Sequence, residues 1–190
     1  MRTLTADGLT LEPQTVAHAA PMFAVLCDPA IYTFENEPPP SPEWLTTRFA
    51  KLESRRSADG REQWLNWVVR LPTAELAGYV QATVRADGNA AIAYEFASAY
   101  WGRGLASRAV RAMIDELVAA YGVTALYAIA KRANLRSHRL LERLCFARVD
   151  DDAQRAILRV EADEVLMWRD VAHPPRDAGT MAAGDRTGRT

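Results

Sequence analysis

"YWGRGLASRAV", Tyr100 to Val110, sets an arginine between Gly102 and Gly104 and runs straight into a helical pattern. Ala106, Ala109, Val110, Met113, Ile114, Leu117 and Tyr121 fall on one stripe, while Arg108, Arg111 and Asp115 fall opposite. Gly122 supplies the stop. Glycine tolerates positive φ and lets a ligand come close to the backbone. The first N–H groups of a helix have no internal acceptor and sit at the positive end of its dipole. Such a turn suits phosphate or pyrophosphate, with the amides of Gly102, Arg103, Gly104, Leu105, Ala106 and Ser107 as donors. A tight strand-to-helix connection without a ligand has the same sequence, and the glycines alone leave both readings open.

The elements around this turn narrow the choice. "QWLNWVVRL" is β-branched and aromatic and is closed by Pro72. "ELAGYVQATVRA" and "NAAIAYEFA" flank Asp87-Gly88, a hairpin signal. Strands over 63–71, 75–86 and 89–97 are therefore expected as an antiparallel meander. After the glycine turn, "TALYAIA" is a short buried strand, so strand, helix and strand make one parallel crossover. "NLRSHRLLERLCF" is a second helix with Asn134 at its N-cap, and "RAILRVEADEVLMWRD" supplies one or two last strands. Upstream, Leu9 to Glu12 is a strand candidate, and "TVAHAAPMFAVLCD" a helix that Pro21 must kink or split. "SPEWLTTRFAKLESRR" opens with Ser41 as N-cap and Pro42 at N1. The expected fold is one α/β domain: a mixed, mostly antiparallel sheet of six to seven strands, flanked by helices, with one parallel β-α-β crossover at the cofactor site. It spans residues 1–172. The stretch 173–190 is rich in Pro, Gly and Thr, has little apolar surface to offset ordering, and is expected to be a disordered tail.

Composition excludes several classes. A net charge of −1 over 190 residues offers no general attraction to nucleic acid or to an anionic membrane. No apolar run approaches the roughly 18 residues of a membrane span. The start lacks a signal-peptide core, so a cytoplasmic setting is expected. Cys27 and Cys145 lack metal-ligand spacing and read as buried thiols. No metal site is expected.

The turn also discriminates among phosphates. Gly104 is followed by Leu105, not by the Lys-Ser/Thr of a nucleoside-triphosphate loop. Gly102, Gly104 and Ser107 give a weakened dinucleotide fingerprint, and the strand after the crossover ends in Lys131-Arg132 rather than an acidic residue. A nucleotide-dependent oxidoreductase is the third-ranked reading.

Trp101-Gly102-Arg103-Gly104-Leu105-Ala106 resembles the Q/R-x-x-G-x-G/A pyrophosphate loop of the GNAT superfamily of CoA-dependent N-acyltransferases. "RANLRSHRLLERLCFARV" is similar to that family's A-x-N-x-x-S-x-R-L-L-E-x-L-G-F segment, with Cys145 in place of the usual Gly. "YWGRGLA" together with "NLRS" resembles the branch that includes the ribosomal-protein N-terminal acetyltransferases. The resemblance covers about Leu9 to Trp168.

The resemblance implies transfer of acetyl from acetyl-CoA to a primary amine, a protein N-terminus or a small amine, by direct attack. The alternative is a non-catalytic acyl-CoA sensor or scaffold. Ser137 lies on the apolar stripe of its helix, and the resemblance gives it the role of positioning or protonating the departing thiol; otherwise it is a serine bonding back to its own helix. Asn134 would cap that helix and hold the pantetheine arm. Arg103 is the favoured charged helper for the phosphates, ahead of the arginines on the outward helix face. His138 reads as an exposed histidine. Glu95, near Tyr94 and Trp101, is the candidate base, although adjacent strand residues face opposite ways. Glu35 and Glu37 are rivals in a loop expected to line the acceptor pocket, and a water chain could replace all three. Trp64 and Trp67 lie on opposite faces of one strand, one for the core and one for the acceptor groove, and Trp67 is assigned to the groove beside Glu35. Exposed strands near the C-terminus could support a homodimer.

Overall fold

A computed structural model describes residues 1–34 and 36–172. Glu35 and the expected tail from His173 lie outside the described residues. In chain order the elements are β1 (Leu4–Ala6), β2 (Leu9–Pro13), α1 (Ala19–Leu26), α2 (Pro42–Leu52), β3 (Glu62–Arg70), β4 (Leu76–Arg85), β5 (Asn89–Phe96), α3 (Leu105–Tyr121), β6 (Ala125–Lys131), α4 (Leu135–Arg143), β7 (Ala147–Val149), α5 (Asp152–Ile157) and β8 (Glu164–Asp170). The strands form an eight-stranded sheet in the order β1-β2-β3-β4-β5-β6-β8-β7. Every pairing is antiparallel except β5 with β6. One parallel pair is too little for the doubly wound sheet of a dinucleotide-binding domain, which sets the oxidoreductase reading aside.

The sheet exceeds the expected strand count at its edges. Asp7 (φ 40°) and Gly8 (φ 81°) turn β1 back on β2. This is the Asp-Gly signal already used at Asp87-Gly88, here at a site where the flanking runs are short. At the other edge "ARV" forms β7. "DAQRAI" is a helical turn, not the start of a strand: Asp151 caps it by accepting from the Gln154 amide at 2.8 Å. The last strand begins only at Glu164.

The helix ends follow local chemistry. Val16–His18 makes a 3-10 turn ahead of α1, so Pro21 falls in the first turn of α1, where its missing N–H costs nothing. Ser41 Oγ accepts from the Trp44 amide at 3.2 Å, with Pro42 at N1. At the end of α4 the Phe146 amide donates to Leu141 O and the Cys145 amide to Glu142 O, both within 3.0 Å. That is a Schellman cap in which Cys145, at φ 62°, occupies the position favoured by glycine. Its side chain projects to solvent, and Cys27 is exposed too, so neither cysteine is the buried thiol the sequence suggested.

Two apolar layers cover the sheet. On one face α3 buries Ala109, Val110, Met113, Ile114 and Leu117 against β3 to β6. On the other, α1 and α2 bury Met22, Leu26, Leu45 and Phe49 against Val68 and Leu76. Trp67 is fully buried in the α3 layer and its indole donates to Arg2 O at 3.0 Å. The residue assigned to a groove wall is therefore a core residue with no exposed surface. Trp64, the other member of the pair, is half-buried, with the Lys51 ammonium over its ring.

Candidate active site

The parallel pair creates the site by failing to continue. β5 and β6 pair only over Asn89–Ala91 and Ala125–Tyr127. Beyond Ala91, β5 keeps β4 on one edge through Phe96 and has no strand on the other among the described residues. The two strands therefore splay, and the open edge of β5 offers backbone groups to an extended, amide-bearing ligand. Gly78 of β4 supports this stretch closely. A Cβ there would collide with the Glu95 carbonyl and Phe96, so only glycine lets β4 lie this near.

The loop after β5 takes a backbone course that its two glycines permit. Gly102 (φ 75°) and Gly104 (φ 73°) are both left-handed, and α3 starts at Leu105. Among the described residues none of the amides from Gly102 to Ser107 meets an acceptor; the first to do so is Arg108, which donates to Gly104 O. A Cβ added at Gly102 or Gly104 meets nothing within 4 Å, so the space over the loop is open. Gly102, Gly104, Leu105, Ala106 and Ser107 line a groove of about 800 Å³ between the loop and α4. Trp101 anchors the groove, its indole donating to Phe96 O at 2.8 Å and its ring lying 3.5 Å beneath the Arg136 guanidinium.

Arg103 stacks beside Tyr100, 5.7 Å from the ring centre, and is not among the groove-lining residues. The arginines that line the groove are Arg136, Arg139 and Arg143 of α4, from the face the sequence assigned to solvent. Helical spacing shows that they share a face; it does not show that the glycine loop stands opposite. His138 is half-buried and bonds Lys131 O at 3.0 Å through Nε2, tying α4 to β6.

Toward the interior the groove adjoins a cavity of about 170 Å³ in the splay, sharing Phe34, Phe96, Trp101, Ala106, Arg136 and Leu140. Asn134 and Ser137 line this cavity. The Asn134 side chain caps α4 by accepting from the Ser137 amide at 3.2 Å. Ser137 Oγ lies 2.8 Å from the Tyr94 hydroxyl, so its partner is across the cleft and not on its own helix. Burial raises the Tyr94 phenol to about 12, which keeps it a proton donor at neutral pH. Sequence reasoning used Tyr94 only as a neighbour of Glu95. No local signal pairs it with Ser137, 43 residues away.

A third cavity, about 320 Å³, lies under α1 and α2 and meets the splay cavity at Ala93 and Glu95. Glu95 thus faces away from Tyr94 and stands between the two spaces. Tyr79, its cross-strand partner, donates a hydrogen bond to it; burial first, and the Glu95 charge second, hold the Tyr79 phenol far above its ordinary range. Burial and the same carboxylate also raise Tyr32, whose hydroxyl donates to Leu26 O at 2.8 Å. Glu37 is exposed and lines this cavity. Asp28 ties the two sides together: its carboxylate accepts from the Ser98 amide at 2.6 Å and from the Ala30 amide at 3.0 Å. The Ser98 hydroxyl first, then the Ser98 amide and more weakly the Ala30 amide, hold its pKa low.

The glycine loop, the splayed strands and the pocket beyond the splay thus form three adjoining spaces around the end of β5. The family model described as "Acetyltransferase (GNAT) domain" matches residues 8–147. The chain belongs to this family of GNAT acetyltransferases. Its fold is similar to that of the ribosomal-protein-S5-alanine acetyltransferase from Vibrio fischeri, at 16% identity and TM-score 0.73 over 88% of this chain and 96% of that one. It is similar to the Salmonella typhimurium acetyl transferase that modifies the N-terminal serine of ribosomal protein L7/L12, at 12% identity and TM-score 0.69 over 87% and 96%. The RimL ribosomal L7/L12 alpha-N-protein acetyltransferase, solved in complex with coenzyme A, matches at 13% identity and TM-score 0.69 over 90% and 98%. At such identities the likeness is one of fold. No curated protein matches the sequence.

Proposed function

We propose that the protein transfers an acetyl group from acetyl-CoA to a primary amine by direct attack, in a cytoplasmic setting. The observation that carries this reading is the continuity of three cavities, from glycine loop to splay to the pocket under α1 and α2, with Glu95 at the last junction. Bound acetyl-CoA supplies an activated acetyl thioester. The amides of Gly102 to Ser107 fit a pyrophosphate, since each brings a donor without an internal acceptor. Arg136, Arg139 and Arg143 add positive charge along the same groove. The free edge of β5, with Asn134 across the splay, suits the two amides of a pantetheine arm.

Proton traffic divides between the two sides of β5. Glu95, oriented by Tyr79, takes a proton from the ammonium entering from the third cavity. Ser137, backed by the neutral Tyr94 phenol, donates toward the departing sulfur. The acceptor is a small amine or a protein N-terminus, and the ribosomal-protein acetyltransferases among the fold neighbours favour inclusion of the latter. A thiol-release assay with acetyl-CoA against a panel of amines and short peptides tests the reading. Amine-dependent release supports it. Acetyl-CoA binding without release from any amine would make the protein the non-catalytic sensor instead.

A further inference from the structure

The cavity under α1 and α2 carries polarity that the fold does not require. Part of the sheet face beneath these helices is apolar, with Val68 and Leu76 packed against Met22, Leu26 and Phe49. Yet Asn66 of β3 and Gln81 of β4 are direct cross-strand partners, and both line the cavity. Gln14, just after β2, joins them, its backbone amide donating to Asn66 O at 2.9 Å. Gln14 is 5% exposed and Asn66 is 6% exposed. Gln14 Nε2 is buried and finds no hydrogen-bond partner among the described residues. Apolar side chains would fill these positions without cost, whereas a buried carboxamide N–H without a partner is expensive to keep.

The register relates these amides to the reacting end. Asn66, Gln81 and Ala93 share one line across the sheet, and Val68, Tyr79 and Glu95 share the line two residues away. Two residues along a strand span roughly 7 Å. Gln81 is one strand from Glu95 and Asn66 two, so with strands about 4.8 Å apart their backbones stand roughly 8 and 12 Å from that of Glu95, and their side chains line the same cavity as Glu95, toward the far end of an amine held there. A carboxamide presents both donor and acceptor, and a hydroxyl can meet either, whereas a methyl group meets neither. The cavity, about 320 Å³, has room for an amine of amino-acid size.

We propose that Gln14, Asn66 and Gln81 form a specificity floor that selects primary amines bearing a hydroxyl or carbonyl oxygen over alkylamines of the same size. This rests on the acetyltransferase reading above and adds the class of acceptor. An alkylamine offers the carboxamides lining the cavity no hydrogen bond, and sites built to bond a polar group reject the analogue that lacks it.

Matched pairs test the floor: propanolamine against butylamine, and 4-aminobutan-2-ol against 3-methylbutylamine. Calorimetry with acetyl-CoA comes first, then thiol release with each amine. The expected result is a kcat/KM ratio of roughly tenfold or more in favour of the hydroxylated member of each pair. In Gln14→Leu and, separately, Gln81→Leu the ratio should fall toward one. Being a ratio, it does not depend on the fraction of each variant that folds. Normal acetyl-CoA binding with equal use of both members, with no turnover of any of the four, or with an unaltered ratio in both variants, overturns the specificity floor alone. Failure to bind acetyl-CoA overturns the transferase reading and this inference with it.

Discussion

The two sides of the splay are built from different materials. On the donor side the working groups are consecutive backbone amides, from Gly102 to Ser107, presented by one loop and the first turn of α3. On the acceptor side they are side chains from β3, β4, β5, α2 and the segments after β2 and α1, gathered by cross-strand register. A backbone site tolerates change in its side chains as long as the glycine conformations survive. A side-chain site changes with each substitution. The donor half is thus suited to one constant ligand and the acceptor half to a ligand that differs between proteins.

Substitutions can break this division at successive points. The largest effect should come from Gly104→Asp. The space over Gly104 is open, so the new carboxylate would stand where a phosphate is expected; at about 4 Å, like charges repel by roughly 4 kcal/mol at an effective dielectric constant of 20. Acetyl-CoA affinity measured by calorimetry should fall by two to three orders of magnitude (about 3–4 kcal/mol). Unchanged affinity would place the cofactor elsewhere.

Glu95→Gln should come next, lowering amine kcat/KM by about 100-fold while acetyl-CoA affinity stays within a factor of two. Loss of both would show that Glu95 serves the donor side as well. Ser137→Ala should lower kcat by about tenfold with little change in acetyl-CoA binding, and Tyr94→Phe should do the same, since the two hydroxyls are 2.8 Å apart. The double variant should then be no worse than the worse single variant; additive losses would mean that the two hydroxyls act separately.

The smallest effect concerns the framework. Cys145 holds a left-handed conformation at φ 62° in the cap of α4, a strain that glycine does not carry. Cys145→Gly should raise unfolding stability by about 0.5–1 kcal/mol in urea denaturation and leave turnover untouched. Destabilisation would mean that the thiol makes a contribution the cap geometry does not show.

Legibility followed the same division. The meander strands fall within a residue or so of the expected spans, and Ser41, Asn134, Gly104 and Gly122 end their helices where the cap rules put them. Each depends on contacts within a few residues. The misreadings involved distance or depth. Trp67 looked like half of an amphipathic strand, but β3 is central and covered on both faces, so alternation does not separate core from groove. The arginines of α4 looked solvated because nothing local announces a loop 30 residues upstream. Asn66 and Gln81 passed unremarked, since one polar residue in a strand is ordinary; only their pairing across β3 and β4 makes them a set.

By itself, then, the sequence determined the turn at Gly102-Arg103-Gly104, the helix that follows, the cap of α4 and the family to which they point. These depend on φ preferences, unsatisfied helix amides and apolar periodicity, which act over a few bonds. Only the tertiary structure decided that Ser137 meets Tyr94, that Glu95 stands between two cavities and that three carboxamides share a floor. Those facts depend on strand register and on where β5 and β6 part, which arise from packing summed over the whole sheet.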